Sequence, residues 1–511
     1  MKRAGEQEGQ VTVAGRALPV LPQYRKDGVT RRLCASVHLD DHLAFEVDRD
    51  LTGDRLNAIG LTLGVNFVAL ARHARVAVQR REALDRQLAA LGALLVISLF
   101  AVLWGLIGGH RTVVQAGYYG VIGVLVATWW LVHHAESRAR AAAQKVFHGQ
   151  EKADALAPPV EPEAEAWLHD LKRANVLPYT DAAALDKPFV GSGHMQLGKV
   201  VVWQPIDVSK PAEAPGGGTL PIRPFDAIDL HTYVAREMER ISGLDGLRAR
   251  NRLYVLGSHA YLLQDLVPDR TARPRAQIPK QLVQAGLQQP GAAMRTHLCL
   301  ERVGEGGRIV VSMYVRAILN RPSLSWEVAV YAIPPLGPRF HQVDRLPAAP
   351  FDRWKSMVAY TTLRLWPELK GAPGRISERG RQRRRSAKSL RKLRRDISRQ
   401  HVIHDYGAPD SLRERYGDWE QAGHNELSDA ADFLNRLQQG VLTATERFLK
   451  DHNIDTSSFD KAQQIITQTY NINNVNGPSN IGAGGTINQP AGPQGSGPSG
   501  QPAGGMPPAR P

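Results

Sequence analysis

The chain is 511 residues long, with 64 Lys+Arg against 49 Asp+Glu, 17 His and 2 Cys; at the usual domain size this predicts about three or four structural units. Hydrophobic residues at 43% suffice for packed cores and exclude wholesale disorder, while two lone cysteines, Cys34 and Cys299, exclude a disulfide scaffold or a multi-Cys zinc domain. A net charge of +15 would suit a nucleic-acid binder if it were spread over the fold, but most of it lies in one short stretch.

The first ten residues, MKRAGEQEGQ, hold no apolar stretch and do not read as a signal peptide. Residues 1–87 are expected to form a helical cytoplasmic region after a loose start. An amphipathic helix over 30–50 places Leu33, Val37, Leu43 and Phe45 among charges, and a second helix from about Val65 runs toward the next segment. His38, Asp40, Asp41 and His42 cluster in sequence. Consecutive helix positions point in different directions, so these four do not converge on a metal ion without a loop.

Residues 88–109 (LAALGALLVISLFAVLWGLIGG) are 22 residues without a charge. At 1.5 Å per residue they make about 33 Å of helix, enough for a hydrocarbon core of about 30 Å. Residues 113–132 (VVQAGYYGVIGVLVATWWLV) are again uncharged, with Gln115 the one strongly polar side chain. The short connection predicts a tight antiparallel transmembrane hairpin over 88–132. Arg72, Arg75, Arg80, Arg81 and Arg86 precede it and Arg138, Arg140 and Lys145 follow it, against Arg111 alone in the loop. The positive-inside rule puts both termini in the cytoplasm. Gly105 and Gly109, Ala116 and Gly120, and Gly123 and Ala127 recur at four-residue spacing, which suits close packing within the hairpin or between copies. Neither span carries an ionisable residue, which disfavours a transporter or pump.

Residues 133–186 read as a helical linker interrupted by Pro158, Pro159 and Pro162, with a short helix near 164–174 and His133 and His134 ending the second span. From 187 the texture becomes β-type, with runs at 199–203, 252–256, 297–303, 308–319 and 326–333 and a GEGG connection between the third and fourth. A helix over 230–241 and an exposed Gly216–Gly218 loop complete a β-rich cytoplasmic domain over 187–350, read as an antiparallel meander. Residues 351–470 form a helical region. Within it, 375–399 hold twelve Lys/Arg against Glu378 and Asp396, +10 of the +15. On the cytoplasmic side of a membrane protein, Arg381, Arg383, Arg384, Arg385, Lys388, Arg391, Lys392, Arg394 and Arg395 suit anionic lipid headgroups. The alternative is a solvated connector; no aromatic residue interleaves the run to stack bases, which disfavours nucleic acid.

A helix over 427–450 with Leu427, Ala431, Leu434, Leu437, Val441 and Phe448 near one face is expected, and a short one after Ser457. Residues 471–511 hold 10 Gly and 8 Pro with Arg510 the one charge, the composition of a disordered tail. Ile472, Val475, Ile481 and Ile487 among Asn and Gly offer a self-assembly alternative.

No catalytic pattern survives inspection. Ser192 and His194 lie in VGSGH, which is not a nucleophile elbow. There is no phosphate loop ending in Lys-Ser/Thr and no H-E-x-x-H. His401, His404 and Asp405 have roughly helical spacing beside the basic run, a weak metal set. No catalytic residue, cofactor or metal is called for.

KPFVGSG at 187–193, RLYV at 252–255, the strand at 313–315, the Pro334–Pro335 turn with Val343-Asp344-Arg345, and IDTSSF at 454–459 together resemble a family of uncharacterised actinobacterial (Streptomyces-type) two-span membrane proteins. The resemblance implies a bacterial plasma-membrane location and no activity. The Asn/Gly tail is loosely similar to terminal amyloid-type signalling motifs of bacterial conflict proteins, from which it departs in Pro478 and its extra glycines.

The expectation is an α+β membrane protein, with a two-helix transmembrane hairpin, a mixed antiparallel β-rich cytoplasmic domain and helical flanking regions. Its function is read as a membrane-anchored scaffold or sensor binding an unidentified protein partner or a second copy of itself. The alternatives are an oligomerising, membrane-perturbing effector of bacterial defence and an enzyme in the 187–350 domain.

Overall fold

The long β-type runs carry apolar or aromatic side chains at successive positions, and a strand buries both of its faces only when a layer covers each. The computed structural model describes residues 25–457 other than 186, 196–199, 242 and 348, together with Phe459, Gln10–Val13 and Arg16–Pro19. These residues fall in one compact unit, Met1–Val475, built as one mixed sheet between two helical layers.

A hairpin of β1 (Gln10–Val13) and β2 (Arg16–Pro19) stands where a loose start was expected. It is followed by α1 (Gly28–Leu39) and α2 (Asp41–Asp48). The single helix expected over 30–50 is broken at Asp40, whose extended backbone lets its carboxylate accept the Leu43 N–H at 3.2 Å and cap α2. The long apolar helices are α3 (Phe67–Ile107) and α4 (Arg111–His148). After α5 (Pro162–Leu171) come β3 (Val176–Tyr179), β4 (His194–Met195), β5 (Val201–Val202), β6 (Ile206–Asp207) and α6 (Ala227–Met238). Then follow β7 (Arg248–Leu256), α7 (Lys280–Gln288), β8 (Met294–Val303), β9 (Val310–Asn320) and β10 (Ser323–Ile333). The described chain closes with α8 (Pro350–Gln400), α9 (Leu412–Arg415) and α10 (His424–Asp451).

The sheet order is β3-β7-β8-β9-β10, parallel between β3 and β7 and antiparallel elsewhere. The edge beyond β10 is an interrupted strand: β6, β5 and β4 pair with it in turn. The meander β7 to β10 is as the sequence reads, with the GEGG segment turning β8 into β9. Alternation sorts the side chains. Leu298, Leu300, Val311, Met313, Val315, Trp326, Val328 and Val330 pack under α6 and α10. Cys299, Tyr314, Ala329, Tyr331 and Ile333 face the other way, onto α1, α2 and the start of α3.

This two-sided burial overrides the boundaries drawn from sequence. The β-rich unit is not closed over 187–350: β3 comes from the supposed linker, one covering layer is the N-terminal helical region, and the other is α10 from beyond 400.

In α3 and α4 the halves nearest the sheet are buried, among them Phe67, Leu70, Ala74, Ala77, Ala143 and Val146. The distal halves turn large apolar side chains outward, with Ile97, Phe100, Leu106 and Ile107 each more than 60% exposed. Both helices are long and apolar enough to cross a membrane. Between them the approach is close: a Cβ on Gly117 would lie 2.8 Å from the Ser98 carbonyl oxygen, and one on Gly105 2.9 Å from the Val114 nitrogen. Gly109 and Gly123 meet nothing within 4 Å, so only part of the small-residue pattern serves the hairpin. The second apolar helix continues past His133 and His134, as expected of a helix leaving a bilayer. It runs unbroken to His148, with the His133 ring stacked on Trp129.

Candidate functional site

The basic segment is not a connector but the second half of α8, and the whole helix wraps the hairpin. Its first half follows α4 toward the apolar end: Ser356 accepts from Arg140, Thr361 lies by His133, and Thr362 accepts from Trp129 Nε1. Leu369 packs on Leu95 and Val124. The contacts then run back along α3, with Ala372 on Leu84 and Leu88, Arg375 on Asp85 and Arg383 on Glu82. The reversal falls at Pro367 and Pro373, which remove backbone donors inside a helix and bend it.

At the turn sits an ion cluster, a collar around the base of the apolar hairpin. The Asp85 carboxylate has no exposed side-chain surface; Oδ1 accepts from Arg375 Nε at 3.0 Å and Nη2 at 2.8 Å, and Oδ2 accepts from Arg379. Glu368 accepts from Arg375 at 2.8 Å and from Arg81, which also reaches Asp41 at 3.0 Å. Burial alone would raise the Asp85 carboxyl, but hydrogen bonds from Arg375 and Arg379 and the charge of Arg81 outweigh it and hold it below its ordinary value. For Asp41 the balance is reversed: burial pushes the carboxyl up against the pull of Arg81.

Of the nine basic residues read as lipid contacts, Arg383 pairs with Glu82 and Arg381 with Glu378. Arg394 lies against Leu51, Trp167 and Arg273 in a cleft of the folded unit. Arg384, Arg385, Lys388, Arg391, Lys392 and Arg395 are exposed along α8. The four residues read for self-assembly, Ile472, Val475, Ile481 and Ile487, and the helix expected beyond 457 to 470, lie outside the described residues.

The remaining candidates disperse. His38 Nε2 lies 3.0 Å from His73 Nδ1, Asp40 caps α2, Asp41 pairs with Arg81, and His42 is exposed. His404 bonds Asn57, while Asp405 accepts the Gly407 and Asp181 N–H groups. Among the described residues, no group of three or more His, Cys, Asp or Glu is placed to hold a metal ion. Ser192 is buried, its hydroxyl 2.5 Å from the Tyr314 hydroxyl, while His194, in β4, is exposed. Gly191 (φ 92°) and Gly193 (φ 88°) make the turn that inserts this loop, conformations only glycine adopts without strain. Phe189 of the same loop stacks on Tyr314 at 4.3 Å.

Sequence reasoning missed a buried polar seam beside that loop. Arg252 Nη1 bonds Glu301 at 2.7 Å and the Tyr254 hydroxyl at 3.3 Å, and its Nε bonds the Ala174 carbonyl. Burial pushes the Cys299 thiol up to about 12, so it is a neutral packing group. The signal available was an Arg opening the apolar run 253–256 and a Glu closing the apolar run 298–300.

No curated protein and no solved structure matches the chain. The family model of the AbeC-like domain matches residues 202–488, from β5 past the end of α10. That span includes RLYV, the 313–315 strand, Val343–Arg345 and IDTSSF, and leaves KPFVGSG outside. More than half of the chain lies under this one description, and the chain belongs to the AbeC-like domain family.

Proposed function

We propose that this chain is a membrane-anchored scaffold or sensor, with the α3/α4 hairpin across a bilayer and the folded α+β unit on its cytoplasmic side, where it binds a protein partner. The observation that supports the anchor is the division within α3 and α4: the sheet-proximal halves are buried while the distal halves present apolar side chains outward. Water would oppose such a surface at about 25 cal/mol per Å², and lipid favours it. Both helices root in the same folded unit, so a hairpin that crosses leaves that unit wholly on one side. The basic flanks assign that side to the cytoplasm.

The test is cysteine accessibility in intact cells, with the two native cysteines buried. His110→Cys, at the exposed tip, is expected to react with an impermeant maleimide from outside. Gly216→Cys, in an open loop of the folded unit, should react only after lysis. Labelling of Gly216→Cys in intact cells with protection of His110→Cys would reverse the topology, and release of the protein by an alkaline carbonate wash would remove the anchor.

Anionic lipid is assigned to the exposed part of α8 nearest the collar, Arg384, Arg385 and Lys388, rather than to the whole basic run. An environment-sensitive dye on Lys388→Cys is expected to shift to the blue when the protein is moved from zwitterionic into anionic liposomes, and salt should reverse the shift. Identical spectra in the two lipids would remove this role.

A further inference from the structure

At the far end of α4 from the hairpin, a cleft of about 380 Å³ opens between the first turn of α1, Phe147 and His148, and the segment around Pro335 to His341. This is at the small end of the range of about 300–1,000 Å³ for ligand pockets. Four guanidinium groups line it, those of Arg25, Arg31, Arg32 and Arg308, and among the described residues lining it there is no carboxylate. Their partners divide the labour. Arg31 pairs with Asp27 through Nε at 2.7 Å and donates to the Val146, Gly149 and Glu151 carbonyls, and Arg25 donates to the Gly149 carbonyl, so both are taken up at the negative end of α4. Arg32 lies over the Phe147 ring and through Nη1 bonds Asp344 and, at 3.0 Å, His341 Nδ1, and Arg308 pairs with Glu426 at 2.7 Å. Asp344 and Glu426 sit outside the lining.

Two further features point the same way. The twelve-residue helix α1 opens on the cleft through Gly28 and Val29, with no acidic residue in its first turn and no side-chain cap from Asp27. Behind the wall formed by Gly306, Arg308 and Pro335 lies Arg413, fully buried. Its Nη2 donates to the Gly307, Arg308 and Pro334 carbonyls, while Nε and Nη1 have no hydrogen-bond partner among the described residues. Burial lowers its guanidinium to about 10, so it is still charged at neutral pH. A buried cation without a carboxylate partner projects its field through a low-dielectric wall.

We propose that this cleft binds a soluble phosphate-bearing anion of up to mononucleotide size, its phosphate between Arg32, Arg308 and the α1 N-terminus and its apolar part against Phe147, Val29 and Leu336. Guanidinium forks and the positive end of a helix suit the oxygens of a phosphate, and the apolar wall leaves room for a base or ring. A lipid headgroup is a poorer source. Sixteen residues of α4, about 24 Å, separate Val132 from His148, against a headgroup layer of about 5–8 Å. The inference goes beyond the anchoring proposal and does not depend on the hairpin crossing a bilayer, so the two fail separately.

The test is calorimetric titration of the full chain, in nanodiscs of zwitterionic lipid and low salt, with pyrophosphate, ADP and adenosine as probes. Saturable binding of pyrophosphate or ADP is expected, with none for adenosine. Gly28→Glu places a carboxylate at the α1 N-terminus, where its Cβ would meet only the Gly306 oxygen at an ordinary 3.5 Å. It should keep or raise the melting temperature and weaken binding by about tenfold or more. Arg308→Gln, on the opposite wall, should weaken binding similarly and decides the matter if Gly28→Glu loses stability. Weakening of anion binding when the disc lipid is made anionic, with unchanged adenosine behaviour, would identify a headgroup as the occupant and overturn the soluble assignment. Absence of saturable binding by either probe up to about 1 mM, or binding unaltered in both variants, would overturn the site.

Discussion

Glu301→Ala is expected to destabilise the folded unit by about 3–5 kcal/mol, the largest effect of any single substitution considered for this chain. The change leaves the Arg252 guanidinium, 4% exposed, without the carboxylate that accepts from it at 2.7 Å. Its other partners, the Ala174 carbonyl and the Tyr254 hydroxyl, are neutral. The burial of this pair is not in itself a stabilising feature, because desolvating two ions offsets most of their attraction. The prediction therefore has a second arm: the double variant Arg252→Met with Glu301→Leu removes both charges and should recover most of the loss. Urea unfolding in mild detergent, followed by the fluorescence of buried Trp326, reads both. A single variant within about 1 kcal/mol of the parent would mean that water reaches Arg252, and the buried seam would be misassigned.

The second large effect is Asp85→Ala, expected to cost about 2–3 kcal/mol and to act locally. Asp85 holds Arg375 and Arg379, so its loss frees the returning half of α8 from α3. The cost is set below that of a fully buried pair because Arg375 keeps 32% of its side chain in solvent. Local opening by that amount raises the open population by about 30-fold or more, so tryptic cleavage between Arg383 and Arg395 should accelerate by about that factor while the sheet stays intact. Unchanged cleavage would show that the collar does not hold the helix. The pH dependence has a definite sign. A carboxyl held below its ordinary value contributes stability that is complete above about pH 4 and is lost as the pH falls through its folded value. Protection of α8 should therefore stay level from neutral pH to about pH 5 and fall only in stronger acid; in Asp85→Ala that acid step should be smaller, with Glu368 and Glu82 left to supply it.

The placement of α8 also explains which part of the chain was legible and which was not. Arg375, Arg379 and Arg383 read as free charge in a basic run, because the acids they meet, Asp85 and Glu82, lie about three hundred residues earlier in the chain. A third acid, Glu368, is close in sequence, but its role depends on a helix bent at Pro367 and Pro373 that brings it to Arg81. A different limit applies to His38, Asp40 and Asp41. Their proximity is real in sequence, and the Asp40 cap then sends each to a separate partner.

What the sequence determined by itself is what short-range physics dictates: two long uncharged helical stretches joined by a tight loop, the alternating strands of the β7–β10 meander, the GEGG turn and the amphipathic α10. Each depends on the spacing of apolar side chains within about a dozen residues. Only the tertiary structure decided the layer order, which set the first helices and α10 on opposite faces of the sheet. It also bent α8 around the hairpin, buried Arg252 against Glu301, and gathered four arginines around a cleft without lining carboxylates. Those depend on contacts between residues tens to hundreds of positions apart. Such contacts form because the central strands β8 to β10 bury both faces over most of their length and buried polar groups need partners, and sequence spacing records neither which layer covers a face nor which partner arrives.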